Sequence, residues 1–275
     1  MTATLFWGCH LLAFGAPLSL VFGWASRRSA LLLVLLAGAS AWFVALLAAS
    51  LVWWTLPPLR GAPVLFLSAR VMAAEAARIL LLFGFELAER TLDPSLINDF
   101  AGAAALGLGF GFMGAVTGAG GALAASGGAG AWYRPGCDAM NAHALTAASA
   151  LLQSAFHLAA MPAALDAWRR LRTSKGGNVD VSTAMPLVSV AALHVVFALA
   201  PLLNGFGNDA CVGVLPAQLL AVLGATVLTA RAVGASDYTG KSTTARAKYL
   251  NAVRASHLDT HPQPVPDSKS KNWAS

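Results

Sequence analysis

The chain has 275 residues, of which 57% are hydrophobic and only 11% are charged, and its mean hydropathy is +0.65. Soluble domains carry about 25% charged residues, so this composition excludes an ordinary soluble protein and indicates a polytopic helical membrane protein. The net charge of +6 does not indicate a nucleic-acid partner, because the basic residues lie in short connections and in the tail. Three scattered cysteines provide neither a disulfide framework nor zinc-ligand spacing.

Seven apolar stretches are each long enough to cross a bilayer, so the sequence predicts an all-α protein with seven transmembrane helices. This membrane domain over residues 1–235 precedes a polar segment, 236–275, which is expected to be disordered because it has too little apolar surface to fold alone. The fifth and sixth spans are predicted to be short and interrupted by prolines. The predicted spans are 3–24, 30–54, 64–89, 100–124, 142–165, 183–203 and 213–235, with the interruptions at Pro162, Pro186 and Pro201.

Basic residues are unevenly divided between the two sets of connections, and the positive-inside rule turns this into an orientation. The richer set lies on the same side as the basic tail, which predicts a lumenal or extracellular N-terminus and a cytosolic C-terminus. Cys137 and Cys211 then fall in lumenal loops, where a disulfide between them is chemically permitted. One set contains Arg27, Arg28, Arg90, Arg169, Arg170, Arg172 and Lys175, whereas the other contains Arg60 and Arg134.

The third span contains charged side chains that need an explanation, because charge inside a membrane is costly. Glu75 and Arg78 are spaced i, i+3 and can pair along one helix face. The structural interpretation is a neutralised pair facing the bundle interior; the functional alternative makes Glu75 a proton carrier or a metal-activating base. Arg70 and Glu86 lie nearer the ends of the span and are expected to extend toward the headgroups.

The fourth span is crowded with glycines that share one side of the predicted helix. At about 100° per residue, five of them fall within an arc of roughly 80°. A smooth glycine stripe lets another helix approach closely in a bilayer, so the segment is predicted to be the central packing helix, made to be held by other helices. The five glycines are Gly107, Gly111, Gly114, Gly118 and Gly121.

Two short motifs imitate soluble enzymes and are set aside. Gly109, Gly111 and Gly114 spell GxGxxG, but that dinucleotide fingerprint needs a preceding strand in a βαβ unit. Gly38-Ala39-Ser40 faintly resembles the serine motif of an intramembrane protease, without a supporting base or oxyanion arrangement.

Three polar side chains enter the fifth and sixth spans. Gln153 and His157 lie on one helix face at i, i+4, and His194 lies in the middle of the sixth span. Two histidines and Glu75 could form a His₂Glu zinc site, yet the HExxH arrangement is missing. Hydrogen bonds between helices are therefore favoured for these groups, and the sequence predicts no metal and no cofactor.

Several stretches resemble the anterior-pharynx-defective family, the seven-span scaffold subunits of γ-secretase. The resemblance rests on MTATLFWGCHLLAFGAPLSL at the start, AWFVALLAASLVWW at 41–54, the Glu75-x-x-Arg78 pair, GLGFGFMG at 107–114, LTAASALL at 145–152, and the segment from His194 to Asn204. It covers most of the spans and fails in the loops and after about residue 236.

This resemblance implies a non-catalytic subunit that holds presenilin-like, nicastrin-like and presenilin enhancer-like partners together in endoplasmic reticulum, Golgi, endosomal and plasma membranes. Such a subunit supports presenilin maturation and the proteolysis of membrane-protein stubs. The family's GxxxGxxxG motif falls on Gly107, Gly111 and Ala115, with Gly114 and Gly118 on the same packing surface. The family's sixth-span histidine matches His194, whereas its fifth-span histidine falls on Gln153, one turn before His157.

Two other functions stay open from the residues alone. An intramembrane metalloprotease would use Glu75, His157 and His194 as its active groups. A small seven-span transporter or receptor would use the proline-interrupted spans, although internal repeats typical of transporters are absent from the sequence.

Overall fold

A computed structural model of the chain describes residues 3–57, 61–91, 99–125, 141–173, 181–205 and 210–238. The regular secondary structure of these residues is entirely helical, which confirms the predicted all-α class. The chain divides into two units, Met1–Ala232 and Val233–Ser275; of the second, the structure describes residues 233–238, which are helical. The remainder of the predicted tail, Cys137 and the side chain of Cys211 lie outside the described residues.

The helices follow one another with short connections. The first span, Ala3–Arg27, comprises α1 (Ala3–His10), a π-helical turn (Leu11–Gly15), α2 (Ala16–Gly23) and a 3₁₀ turn (Ala25–Arg27). The remaining α-helices are α3 (Ser29–Thr55), α4 (Pro63–Thr91), α5 (Asp99–Ala125), α6 (Ala142–Thr173), α7 (Val181–Leu199) and α8 (Val214–Tyr238), and 3₁₀ turns occupy Ala200–Gly205 and Ala210–Gly213.

Local sequence explains several helix ends. Helix α3 ends at Thr55, two residues before Pro57, because a proline disfavours helical backbone in the residue before it. Helix α4 begins on Pro63, whose fixed φ suits the first helical position. At the start of α6, the side-chain Oδ1 of Asn141 accepts a hydrogen bond from the backbone N–H of His143 at 2.9 Å and so caps the helix.

The predicted interruption of the fifth span is wrong. Helix α6 continues through Pro162 for 32 residues, and α7 continues through Pro186. A proline removes one backbone N–H, and neighbouring helices and local backbone adjustments compensate for this inside a membrane bundle. The sixth span changes its helix type later, at Ala200, where the 3₁₀ turn contains Pro201.

Six helical segments in the described part of the chain are long and apolar enough to cross a membrane. They comprise the first span, α3, α5, α6, α7 and α8. Helix α4 has the length, 29 residues, but contains five charged side chains among those described: Arg70, Glu75, Arg78, Glu86 and Glu89.

Helix α5 lies at the centre of the packing and contacts mainly α6 and α3. Residues 102–111 are all buried, so this part of α5 is covered on every side rather than along one stripe. Helix α4 packs against α3 and α7, and α6 packs against α7. Helix α8 joins this arrangement through Ala221 and Ala225, which cluster with Phe156 and Val190.

Candidate functional site: a buried polar network beside a cavity

The glycine stripe of α5 packs against α6 of the same chain. A Cβ added at Gly107 would overlap the backbone carbonyl of His157, and one added at Gly111 would lie 2.9 Å from the Cα of Ser154. At Gly114 it would lie 2.5 Å from the Nε2 of Gln153. Real Cβ atoms do not approach this closely, so these three positions require glycine.

The stripe becomes looser toward the end of α5. A Cβ at Gly118 would be in ordinary contact, 3.7 Å from the Oε1 of Gln153, and one at Gly121 would meet nothing within 4 Å. Ala115 is fully buried and packs with Cys9 and Ala13 of the first span. The interpretation that the whole stripe is made for partner helices is therefore corrected: its central part is occupied by this chain's own α6.

A second glycine contact, on the opposite side of α5, was not recognised in the sequence. A Cβ at Gly109 would overlap the carbonyl of Leu35, and one at Gly38 would overlap the carbonyl of Leu106. The backbones of α3 and α5 therefore meet directly at these two glycines. The signal was present, since both belong to the motifs set aside as imitations of soluble enzymes.

Glu75 and Arg78 form a buried ion pair on α4. The Nη1 of Arg78 donates hydrogen bonds to both carboxylate oxygens of Glu75, at 2.8 and 2.7 Å. Arg78 has no exposed surface and Glu75 is 8% exposed. In an interior of low dielectric constant, neither charge would be tolerated without the other.

Two histidines extend this pair to neighbouring helices. The Nη2 of Arg78 lies 2.8 Å from the Nδ1 of His157 on α6, and the Nδ1 of His194 on α7 lies 2.5 Å from the Oε1 of Glu75. Because a guanidinium only donates, the Nδ1 of His157 must accept, which places the proton of that neutral ring on Nε2. The carboxylate of Glu75 only accepts, so His194 donates from Nδ1. The four side chains, called here the polar network, link α4, α6 and α7.

Aromatic rings enclose the polar network. His157 makes edge contacts with Trp42, Phe110 and His194, with ring centroids 5.6, 5.0 and 4.9 Å away. The guanidinium carbon of Arg78 lies 5.7 Å from the centroid of Phe110. The Nε of Arg78 and the Nε2 of His157 are buried without a hydrogen-bond partner, so the network is held within an apolar shell.

Arg70 does not extend toward the headgroups as expected. Its guanidinium carbon lies 5.7 Å from the ring centroid of Trp42, and its side chain lines a cavity of about 280 Å³. Glu86 instead binds α6: it accepts a hydrogen bond from the Nε1 of Trp168 at 3.0 Å and lies 3.7 Å from the Nε of Arg172.

The cavity lies between the ends of five helices and borders the polar network at His194. Its walls are mostly apolar, and Gln153, which the sequence placed on the same face as His157, contributes to them. The polar lining consists of Arg70, Thr146, Ser149, Gln153, His194 and Gln218.

The proposed zinc ligands do not converge on a common point. Arg78 lies between two of them, bonded to Glu75 through Nη1 and to His157 through Nη2. Among the described residues, no three His, Cys, Asp or Glu side chains are grouped so as to hold a metal ion. The geometry favours a hydrogen-bonded link between helices over a metal centre.

Comparison with known proteins identifies the family. The sequence model of the Aph-1 protein family matches residues 4–236, whereas no curated protein matches the chain. The match covers most of the chain, which therefore belongs to the Aph-1, or anterior-pharynx-defective, family, and the resemblance noted in the sequence is confirmed. Members are γ-secretase subunits, generally non-catalytic, so membership supports a role as a component of that complex in a multi-pass membrane protein.

Proposed function

From this membership we propose that the chain is a non-catalytic scaffold subunit of a γ-secretase-type intramembrane protease complex. It holds a presenilin-like catalytic subunit, a nicastrin-like subunit and a presenilin enhancer-like subunit together, and supports presenilin maturation and the proteolysis of membrane-protein stubs. Its location is then that of the assembling and mature complex, from endoplasmic reticulum and Golgi to endosomal and plasma membranes.

The observation that carries the scaffold role is the arrangement of the polar network. Its ionisable groups bond to one another, with Arg78 joined to Glu75 and His157, and Glu75 joined to His194. Catalysis needs a group that can reach a substrate, whereas a satisfied network of buried side chains fixes the positions of the helices that carry it. A fixed bundle suits a subunit whose purpose is to present a constant surface to partner helices.

We further propose seven spans, with α4 as the seventh and with the N-terminus lumenal. The two charged side chains in the middle of α4, Glu75 and Arg78, are buried and paired within the bundle. Paired charges that face a bundle interior are the form in which membrane helices tolerate ionisable residues. The distribution of basic residues supports the orientation.

The metalloprotease alternative fits the geometry poorly. A zinc ion bound by Glu75 and His157 would have to displace Arg78, leaving a buried guanidinium beside a divalent cation. Because like charges in an apolar interior repel strongly, metal binding would require α4 to rearrange.

A mild-detergent affinity purification of the tagged full-length chain tests the proposal. The expected result is co-purification of the three partner subunits, with intramembrane proteolysis present in the complex and absent from the chain alone. Topology is tested in the same preparation by protease protection of tags placed at the two ends. A chain that is recovered alone from native membranes and cleaves peptides unaided would overturn the scaffold role.

A further inference from the structure

The cavity contains an arginine that the described protein does not neutralise. Helix α4 carries Arg70 and Arg78 two turns apart, and their surroundings differ. Arg78 is bonded to Glu75 and His157, whereas Arg70 has the ring of Trp42 as its partner and no carboxylate among the described residues. A membrane-embedded arginine is costly unless an anion or water balances it, so Arg70 is available to a group from outside the chain.

Other cavity side chains also have unused hydrogen-bonding capacity. Gln218 is 2% exposed, and its Oε1 is buried without a partner. Ser149 and Gln153 line the same space, and the structure gives neither a side-chain hydrogen bond within the described residues. Buried polar atoms are normally satisfied, and several unsatisfied groups converging on one cavity are typical of a ligand site.

The size and position of the cavity limit the ligand. Its volume of about 280 Å³ is far larger than the roughly 30 Å³ share of one water molecule, and it lies just below the range of about 300–1,000 Å³ for small-molecule sites. It is lined by the beginnings of α4, α6 and α8 and the ends of α5 and α7, so it lies toward one end of the bundle. That end is opposite the one where α6 carries Arg169, and a lipid headgroup or a soluble ion can reach such a position.

We infer that this cavity binds a phosphate oxyanion, with the Arg70 guanidinium as its cationic anchor. The planar fork of arginine matches phosphate oxygens, and the hydroxyl of Ser149 and the amide of Gln153 supply further donors. The Oε1 of Gln218 accepts from a P–OH group or from a hydroxyl of a glycerol headgroup. Trp42, which lies under Arg70, and the apolar walls exclude bulk water and strengthen the charge interaction.

The test measures phosphate binding to the purified full-length chain in detergent, by the rise in melting temperature on titration at constant ionic strength against chloride. A second arm places the chain in nanodiscs of phosphatidylcholine with or without phosphatidylglycerol and measures retained anionic lipid by mass spectrometry. Binding in the first arm identifies a soluble ion as sufficient, and enrichment only in the second identifies a lipid headgroup.

Matched variants assign any binding to the cavity. Arg70→Met is expected to weaken binding about tenfold or more, the size of a lost charge-assisted hydrogen bond, whereas Arg70→Lys keeps the charge and should lose less. Arg27→Met removes an exposed arginine elsewhere and should change nothing. Gln218→Leu keeps Arg70 and its contact with Trp42, and should still weaken binding severalfold. Absence of binding in both arms, or equal loss in Arg27→Met and Arg70→Met, would overturn the inference.

Discussion

Helix α5 and the first span are both apolar and glycine-containing, yet they relate to the rest of the chain in opposite ways. Within the described structure, 67% of the apolar part of α5 is buried, against 17% of the first span. Glycines of α5 meet backbone from α3 and α6, whereas a Cβ at Gly8 or Gly15 of the first span would meet nothing within 4 Å.

This difference separates two uses of small residues in one membrane protein. In α5, glycine allows the chain's own helices to come together around the polar network. In the first span, glycine leaves a smooth surface that the chain itself does not cover. The scaffold proposal needs both: an interior that is fixed, and a surface left over for other helices. Changes in the interior should therefore impair the chain itself, and changes on the first span should not.

The largest effect is expected from the polar network, which packs against α5 at Phe110. Replacing Arg78 with Met leaves the Glu75 carboxylate buried without its cation and should lower the free energy of unfolding by about 3–5 kcal/mol. The measurement is denaturant unfolding of the full-length chain in detergent. Arg172→Met is the matched control, because that guanidinium is about half exposed, 45%, in its pair with Glu86, and should cost about 1 kcal/mol or less.

The double variant Glu75→Gln with Arg78→Met sharpens this result. Removing both charges should recover part of the loss, since the main penalty comes from the charge that is left behind. Equal destabilisation by Arg78→Met and Arg172→Met would show that the network does not fix the interior.

A smaller effect, with opposite signs at two positions on one helix, is expected from single methyl groups on α5. Gly109→Ala would place a Cβ against the carbonyl of Leu35 and should lower the free energy of unfolding by about 1–3 kcal/mol. Gly120→Ala adds the same methyl group where nothing lies within 4 Å, and should be neutral or stabilising by up to about 1 kcal/mol because alanine favours helix. Melting temperatures of the two variants decide the matter, and a loss at both positions would contradict the assigned packing.

Some of this interior could be predicted from the sequence, because it depends on local spacing. The helical class follows from long apolar stretches, and the Glu75–Arg78 pair follows from i, i+3 geometry on one helix. The contact of Arg78 with His157 does not, since it joins residues 79 positions apart and depends on how α4 and α6 are rotated about their axes. Hydropathy reports that a helix crosses the membrane, and says little about which face meets which neighbour.

Two errors of interpretation have the same physical origin. Gly38 and Gly109 each belong to a motif known from soluble enzymes, and that association hid their simpler use as a point where two backbones meet. Arg70 was expected near the headgroups because it lies close to the start of α4. Neither outcome was available from a single helix, because each depends on a cavity or contact that several helices create together.

An intermediate effect on assembly is expected from the α5–α6 contact. Gly111→Leu forces a branched side chain against Ser154 and His157 and should displace α6, whereas His194→Ala removes one bond while Glu75 keeps its pair with Arg78. Presenilin recovered with the tagged chain should therefore fall more for Gly111→Leu than for His194→Ala, with Gly121→Leu as the control on open surface. Equal recovery for the first two would show that the interior packing of α5 does not govern assembly.

The smallest effect on the chain itself is expected on the first span, where neighbouring positions differ in burial. Gly8→Leu adds a side chain on exposed surface and should change the free energy of unfolding by less than about 0.5 kcal/mol. Cys9→Leu enlarges a side chain that is only 3% exposed and should destabilise the chain. If Gly8→Leu keeps its melting temperature but reduces recovery of partner subunits, the loss reports a contact outside the chain. A drop in the melting temperature of Gly8→Leu would instead show that the first span belongs to the fixed interior, and the contrast with α5 would no longer hold.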